Sequence, residues 1–385
     1  MNTYVVDREE DMVRSFLLDE NSRAIEIHED NLQRKFSLGD IYIGKVTRVL
    51  KDLNAAFVDI QPGVSGYLPL NEPVRITGGN TGRIAAGSEL AVQVVREPIK
   101  EKKMALSGKL TLKSPYCMVS WCGDAGVSRK IDASVRSIYR ELSDRYTGKD
   151  IRVLVRTAAA DLSVSQAEGH IREIREQLQR ILEISDKRVA YSCLYKAPEA
   201  YLKRIGELPA DIGKITAADS EIINNITEYI RGRRPDLLNR VRLYEDRMVS
   251  LKSCYCLRRE LDNAKSRIVH LSSGASLVIE VTEALSVIDV NTACSAQKRK
   301  HMNREENFLS TNLEAARECA RQIRLRNLSG IILIDFINME KKESTEQLIH
   351  ALKQYLLKDP VRTRFEDITK LGLVEITRMK IEKPL

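Results

Sequence analysis

The sequence predicts a multidomain α/β protein that carries a small β-barrel near its N-terminus. Three observations predict it. The chain of 385 residues is long enough for two or three domains, each burying its own core. Short strand-like runs separated by turn residues crowd between Gly39 and Val95. Between Glu283 and Met339, an apolar strand, a charged helix and a second apolar strand follow one another, the pattern of a parallel crossover unit.

From the N-terminus, Phe16-Leu17-Leu18 and Ala24-Ile25-Glu26-Ile27 flank Asp19-Glu20-Asn21-Ser22, which reads as a hairpin. The barrel strands are Ile41 to Val46, Ala55 to Ile60, Gly66 to Leu70 and Leu90 to Val95. The run Gly78-Gly79-Asn80-Thr81-Gly82 lacks the lysine and hydroxyl residue of a phosphate-cradling loop and reads as a barrel loop. Beyond Pro115, Ile151 to Val155 is a strand. Val164, Ala167, Ile171, Ile174, Leu178 and Ile181 then lay one apolar stripe along a helix. Helices fit Ala218 to Arg231 and Tyr255 to Ala264, and strands at Arg267 to Leu271 and Ser276 to Ile279 lead into the crossover unit. Its helix, Glu305 to Leu328, carries Leu309, Leu313, Ala316, Ala320 and Ile323 at helical spacing, with Asn312 among them.

Composition narrows the function. With 62 Lys+Arg against 54 Asp+Glu, the net charge is +8 and favours a polyanionic partner: RNA, DNA or an acidic membrane. No secretory signal opens the chain and no eighteen apolar residues run together, so a cytoplasmic protein without a membrane partner is expected. The 7 cysteines are scattered, and reduced thiols are expected. Cys254-x-Cys256 lacks a second ligand pair at zinc spacing.

The crossover unit carries the chemistry. Asp289 in Ile288-Asp289-Val290-Asn291-Thr292 and Asp335 in Ile334-Asp335-Phe336 sit in apolar strands, where a carboxylate is costly unless a cation or hydrogen bond compensates it. Parallel strands bring both acids to one sheet edge, where a shared Mg²⁺ would need only one or two carboxylates, and Asn291 could orient a phosphate or water. The competing local readings are a cap for Asp289 and an arginine partner for Asp335. In the barrel, Phe57 and Tyr67 are candidates to stack unpaired bases, with Lys100, Lys102 and Lys103 tracking the backbone; Phe57 could equally be core. At the end of the Ile151 to Val155 strand, Arg156-Thr157-Ala158 offers a guanidinium and a hydroxyl suited to a phosphate.

Assembled, these residues resemble the ribonuclease E/G family of endoribonucleases along nearly the whole chain. The resemblance rests on Thr282-Glu283-Ala284-Leu285, Ile288 to Thr292, Thr311-Asn312-Leu313-Glu314-Ala315-Ala316, Arg321 to Arg326 and Ile334 to Met339. Gly44-Lys45-Val46, Ala55 to Asp59, Gly66 to Leu70, Ser128-Arg129-Lys130-Ile131 and Val155 to Ala158 support it upstream.

It implies an α+β chain with an RNase H-like core in two pieces, 1–36 and 209–270. An OB-fold S1 motif barrel (37–115) and a 5′-sensor subdomain (116–208) interrupt that core, and a small DNase I-like catalytic subdomain (271–385) follows. The resemblance assigns Mg²⁺, or Mn²⁺ in its place, to Asp289 and Asp335, and placement of the scissile phosphate to Asn291. Metal-activated water would then cut single-stranded RNA, leaving a 5′-phosphate and a 3′-hydroxyl, with no active-site histidine required. It assigns a 5′-monophosphate pocket to Arg156, Thr157 and Arg362, and RNA contacts to Phe57, Tyr67, Lys102 and Arg129. The implied substrate is an rRNA precursor or mRNA. Ala293, Asp161 and Lys103 stand where the family commonly has glycine, and no Cys-Pro-x-Cys follows Arg378, so no structural zinc and no zinc-linked dimer are expected. The alternatives are a non-catalytic RNA-binding protein acting in ribosome or RNA assembly and a phosphatase of a small substrate.

Overall fold

A computed structural model describes residues 1–77, 83–96, 103–209, 211–292, 303–380 and 384–385. They separate into two units, one of Met1–Asn31, Pro209–Asn224 and Arg240–Leu385, the other of Leu32–Leu208 and Asn225–Asn239.

In the first unit the expected hairpin is Met12–Leu18 paired with Ala24–Asn31. Asp19 shapes its turn, one carboxylate oxygen accepting the N–H of Asn21 and of Arg23, each at 2.9 Å. A strand without a sequence signal, Thr3–Glu9, precedes it: Tyr4, Val5 and Val6 are all buried, so both faces are covered and no alternation shows. Lys214–Ala217 and Val241–Leu243 extend this sheet in parallel.

A second sheet orders its six strands as Ile268–His270, Ser276–Val281, Leu285–Asn291, Gly330–Asp335, Val374–Arg378 and Thr363–Ile368. Its central pair, Leu285–Asn291 with Gly330–Asp335, is parallel as expected, and the others are antiparallel. Helices Arg304–Leu325 and Lys342–Leu356 cover one face, burying Ile279, Ile288, Ile332, Ile334 and Ile376 against Ala315, Ile323, Leu348 and Leu352. An Asn303/Glu306 capping box starts the first helix. It stops before the expected Leu328 because Asn327 turns left-handed (φ 50°) and the Leu328 N–H reaches back to the Ile323 carbonyl. The expected helix Tyr255 to Ala264 is Leu257–Lys265, starting after Cys256 at φ 50° and preceded by a separate short helix, Leu251–Cys254.

In the second unit five strands close a barrel: Ile41–Leu50, Ala55–Gln61, Val64–Pro69, Met104–Ser107 and Glu89–Arg96, the last pairing back to the first. Met104–Ser107 had no sequence signal, yet it supplies the closing parallel pairing with Val64–Pro69. Gly44 of the Gly44-Lys45-Val46 motif is a packing requirement, since a Cβ there would lie 2.4 Å from Val58 Cγ1. A four-stranded sheet containing Cys117–Trp121 and Ile151–Val155 packs against helices Ala133–Tyr146 and Val164–Ser185. Of the expected stripe, Ala167, Ile171, Ile174, Leu178 and Ile181 are buried there, while Val164, in the first turn of the helix, is exposed.

Candidate active site

Asp289 and Asp335 are direct register partners across the central parallel pair. Paired residues share a face, and strand alternation turns Ile288, Val290 and Ile334 into the helix-covered core while both acids point to the uncovered side. Asp289 is half-buried and Asp335 is exposed, so the expected burial cost does not arise. Neither acid caps a helix, and neither has a lysine or arginine partner among the described residues. Asn291, two residues on and therefore on the same face, donates from Nδ2 to Asp289 Oδ2 at 2.6 Å.

The helix behind the sheet fixes the backbone around the pair. Asn312 is fully buried and bridges both polar groups of Ile337: Nδ2 donates to its carbonyl at 2.8 Å and Oδ1 accepts its N–H at 3.1 Å. Glu305 accepts the N–H groups of Glu340 and Lys341 at 3.1 and 3.0 Å, and those donors hold its carboxyl below the ordinary carboxylate range. Glu314 accepts the N–H of Ser272 at 2.7 Å and that of Ser273, holding the turn before Ser276. Asn312 and Glu314 were visible as motif residues. Their targets were not, because the hydrogen bonds span distant positions.

The donor set suits a hard divalent cation that keeps most of its water, since two register-paired carboxylates are what Mg²⁺ takes from a protein. No group of three or more His, Cys, Asp or Glu able to hold a metal occurs among the described residues. Cys254 and Cys256 are exposed free thiols.

On the barrel, Phe57 and Tyr67 are cross-strand partners with ring centroids 6.2 Å apart at 71°. Ala56, Val58 and Leu68 point inward and are buried, so the half-buried rings lie on the outer face, and Phe57 is not core. Lys102 lies outside the described residues, as do Lys100, the Gly78 to Gly82 run and Ala293. Its neighbour Lys103 stands over the Phe57 ring, Nζ 4.5 Å from the centroid.

Arg156 ends its strand with Nη1 donating to the Ser114 carbonyl at 2.8 Å and Nη2 3.3 Å from Glu207 Oε1. Thr157 Oγ1 lies 2.8 Å from Ser128 Oγ, which places Ser128-Arg129-Lys130 beside it. Arg129 is exposed, and its carbonyl accepts from Arg136 at 2.9 Å. Asp161 ends the short helical turn Thr157–Asp161 and is exposed. Arg362 belongs to the other unit, with an exposed side chain and a carbonyl that accepts the Met379 N–H at 3.0 Å.

No helix among the described residues is long and apolar enough to cross a membrane. The Ribonuclease E/G family profile matches residues 111–381. Ribonuclease E of Haemophilus influenzae is 33% identical over 360 residues, covering 90% of this chain and 38% of that protein. Ribonuclease G of Escherichia coli is 28% identical over 386 residues, covering 94% of this chain and 76% of that protein. Ribonuclease E of Buchnera aphidicola is 30% identical over 378 residues, covering 94% of this chain and 38% of that protein. The chain thus spans well under half the length of these ribonuclease E relatives and most of the ribonuclease G relative. With its paired strand aspartates inside the matched region, the chain belongs to the ribonuclease E/G family of endoribonucleases.

Proposed function

We propose that this protein is an endoribonuclease that cuts single-stranded RNA, with Asp289 and Asp335 holding Mg²⁺ or Mn²⁺. The observation that carries the reading is the register pairing of the two acids on an uncovered sheet face, with Asn291 tied to Asp289. Bound there, the cation supplies an activated water and neutralises charge at phosphorus. The protein's own part is positioning. Asp289 orients the Asn291 amide, whose remaining N–H is free to donate to the scissile phosphate, while Asn312 and Glu305 hold the chain beyond Asp335. Hydrolysis leaves a 5′-phosphate and a 3′-hydroxyl.

The barrel grips unpaired bases on Phe57 and Tyr67 with Lys103 beside them, and Lys102 and Arg129 contact the RNA backbone. Arg156 and Thr157 of one unit, and separately Arg362 of the other, are assigned to favouring a 5′-monophosphate, the guanidiniums by charge-assisted donation. The hairpin-containing sheet is read as the RNase H-like core, the barrel as the S1 motif, and 271–385 as the DNase I-like subdomain, acting in the cytoplasm on rRNA precursors or mRNA.

The test is cleavage of a 5′-monophosphorylated single-stranded RNA by the wild type and by Asp335→Asn, each in Mg²⁺ and in EDTA. Cutting by the wild type in Mg²⁺ alone is expected; cutting that survives in the variant or in EDTA overturns the two-aspartate site.

A further inference from the structure

The uncovered face of the catalytic sheet continues beyond the acids. Register carries a row from Asn291 through Ser276 to His270 on the two outer strands, so these three residues share the face of Asp289 and Asp335. The neighbouring row runs Ile268, Val278, Asp289, Asp335. The next row along the strands in the other direction runs Glu280, Val287, Leu333, Glu375 and Asp367, with Glu280 ion-paired to Arg267 and the carboxylates of Glu375 and Asp367 on the two strands beyond Asp335. A polyanion approaching the acid pair from the Asp335 side meets the carboxylates of Glu375 and Asp367, and along the row of Asn291, Ser276 and His270 it meets none.

His270 stands on the permissive side. It is exposed, and its imidazole has no hydrogen bond or ion pair among the described residues. Glu314 fixes the turn between its strand and the next, so the imidazole stands on a held scaffold. Two strand spacings put it about 10 Å from Asn291. Ser276, half-buried between them, adds a hydroxyl on the same line.

We propose that His270, with Ser276, is a substrate-binding residue that donates to the sugar–phosphate backbone of the RNA next to the scissile phosphate, laying the strand across the sheet along this row. The assignment rests on the nuclease reading for its substrate, and its role is binding, not chemistry. Its contacts set how firmly the strand is held beside Asn291.

The test is local and needs no cleavage. Full-length protein in EDTA is treated with diethyl pyrocarbonate, with and without a saturating single-stranded RNA, and adducts are measured at each histidine by mass spectrometry. His350, exposed on the helix that covers the opposite face, is the internal control. Modification of His270 is expected to fall several-fold with RNA while that of His350 holds; equal modification of His270 in both samples overturns the proposal. In Mg²⁺, His270→Ala is expected to raise KM about five-fold with kcat within about two-fold, and His270→Gln to recover most of the loss. An unchanged KM in His270→Ala also overturns it. Failure of the wild type to cut RNA in Mg²⁺ would defeat the nuclease reading alone, because protection is read without turnover.

Discussion

Asn312 and Ile337 are joined by both polar groups of one buried side-chain amide, two residues past Asp335 in the chain. This junction ties the helix Arg304–Leu325 to the backbone just beyond Asp335.

Asn312→Ala leaves the N–H and carbonyl of half-buried Ile337 without their partner, at a cost of about 1 to 3 kcal/mol. Denaturant unfolding measures that loss. If the junction also positions Asp335, kcat falls further than the folded fraction does. A drop in activity no larger than the loss of folded protein limits Asn312 to stability.

Asp289→Asn and Asp335→Asn are expected to lower cleavage at least about a hundredfold. Because the acids face the uncovered side and lack cationic partners among the described residues, unfolding free energy should change by no more than about 0.5 kcal/mol. Activity and stability thus separate in these variants, in contrast with Asn312→Ala.

At the proposed 5′-phosphate site, Glu207 competes for the Arg156 guanidinium at 3.3 Å. Glu207→Gln should raise the rate preference for monophosphate over triphosphate ends by about two-fold, the scale of an exposed ion pair. Arg156→Ala and Arg362→Ala should reduce that preference. Equal wild-type rates on both ends would remove the sensing role.

Phe57→Ala or Tyr67→Ala removes one ring of the barrel pair and should weaken RNA binding by about 1 to 3 kcal/mol for each base that loses its stacking partner. Fluorescence anisotropy with a labelled single strand reads this directly. A variant that binds as tightly as wild type would place the RNA elsewhere on the barrel.

Acid should loosen the first unit through Glu26. Burial alone would raise its carboxyl, but the His28 hydrogen bond and the Arg324 charge at 2.6 Å outweigh it and hold it at about 2, against an ordinary 4.5. A folded value below the unfolded one means stability that is fully present above pH 4.5 and lost as pH falls toward 2, about 3 kcal/mol in all. About 2 kcal/mol of it is gone by pH 3. Glu26→Gln should be less stable at pH 7 and show a flatter stability profile between these limits.

Much of the site was legible in the chain. Period-two alternation in Ile288-Asp289-Val290-Asn291 puts Asp289 and Asn291 on one face, and a helix-length connection requires a parallel partner strand. Alternation around Ala56, Phe57 and Val58 likewise turns the ring away from the barrel interior, though a lone aromatic in sequence reads equally as core. Less was legible where the signal is short or two-sided. Met104–Ser107 is a four-residue strand, and Thr3–Glu9 is covered on both faces, so neither shows a period.

The sequence by itself determined the family, the strand and helix order of the crossover unit, and which residues could carry chemistry there. Those are properties of local periodicity and of motif order. Only the tertiary structure decided that Asp289 lies opposite Asp335, since a one-residue slip would send one acid to the core face. It alone showed that helices cover one side of that sheet and leave the acids accessible on the other, which also carries the row of Asn291, Ser276 and His270, with backbone on either side held from behind by Asn312 and Glu314. Register, coverage and hydrogen bonds between distant residues are set by how the elements pack, and no local pattern encodes them.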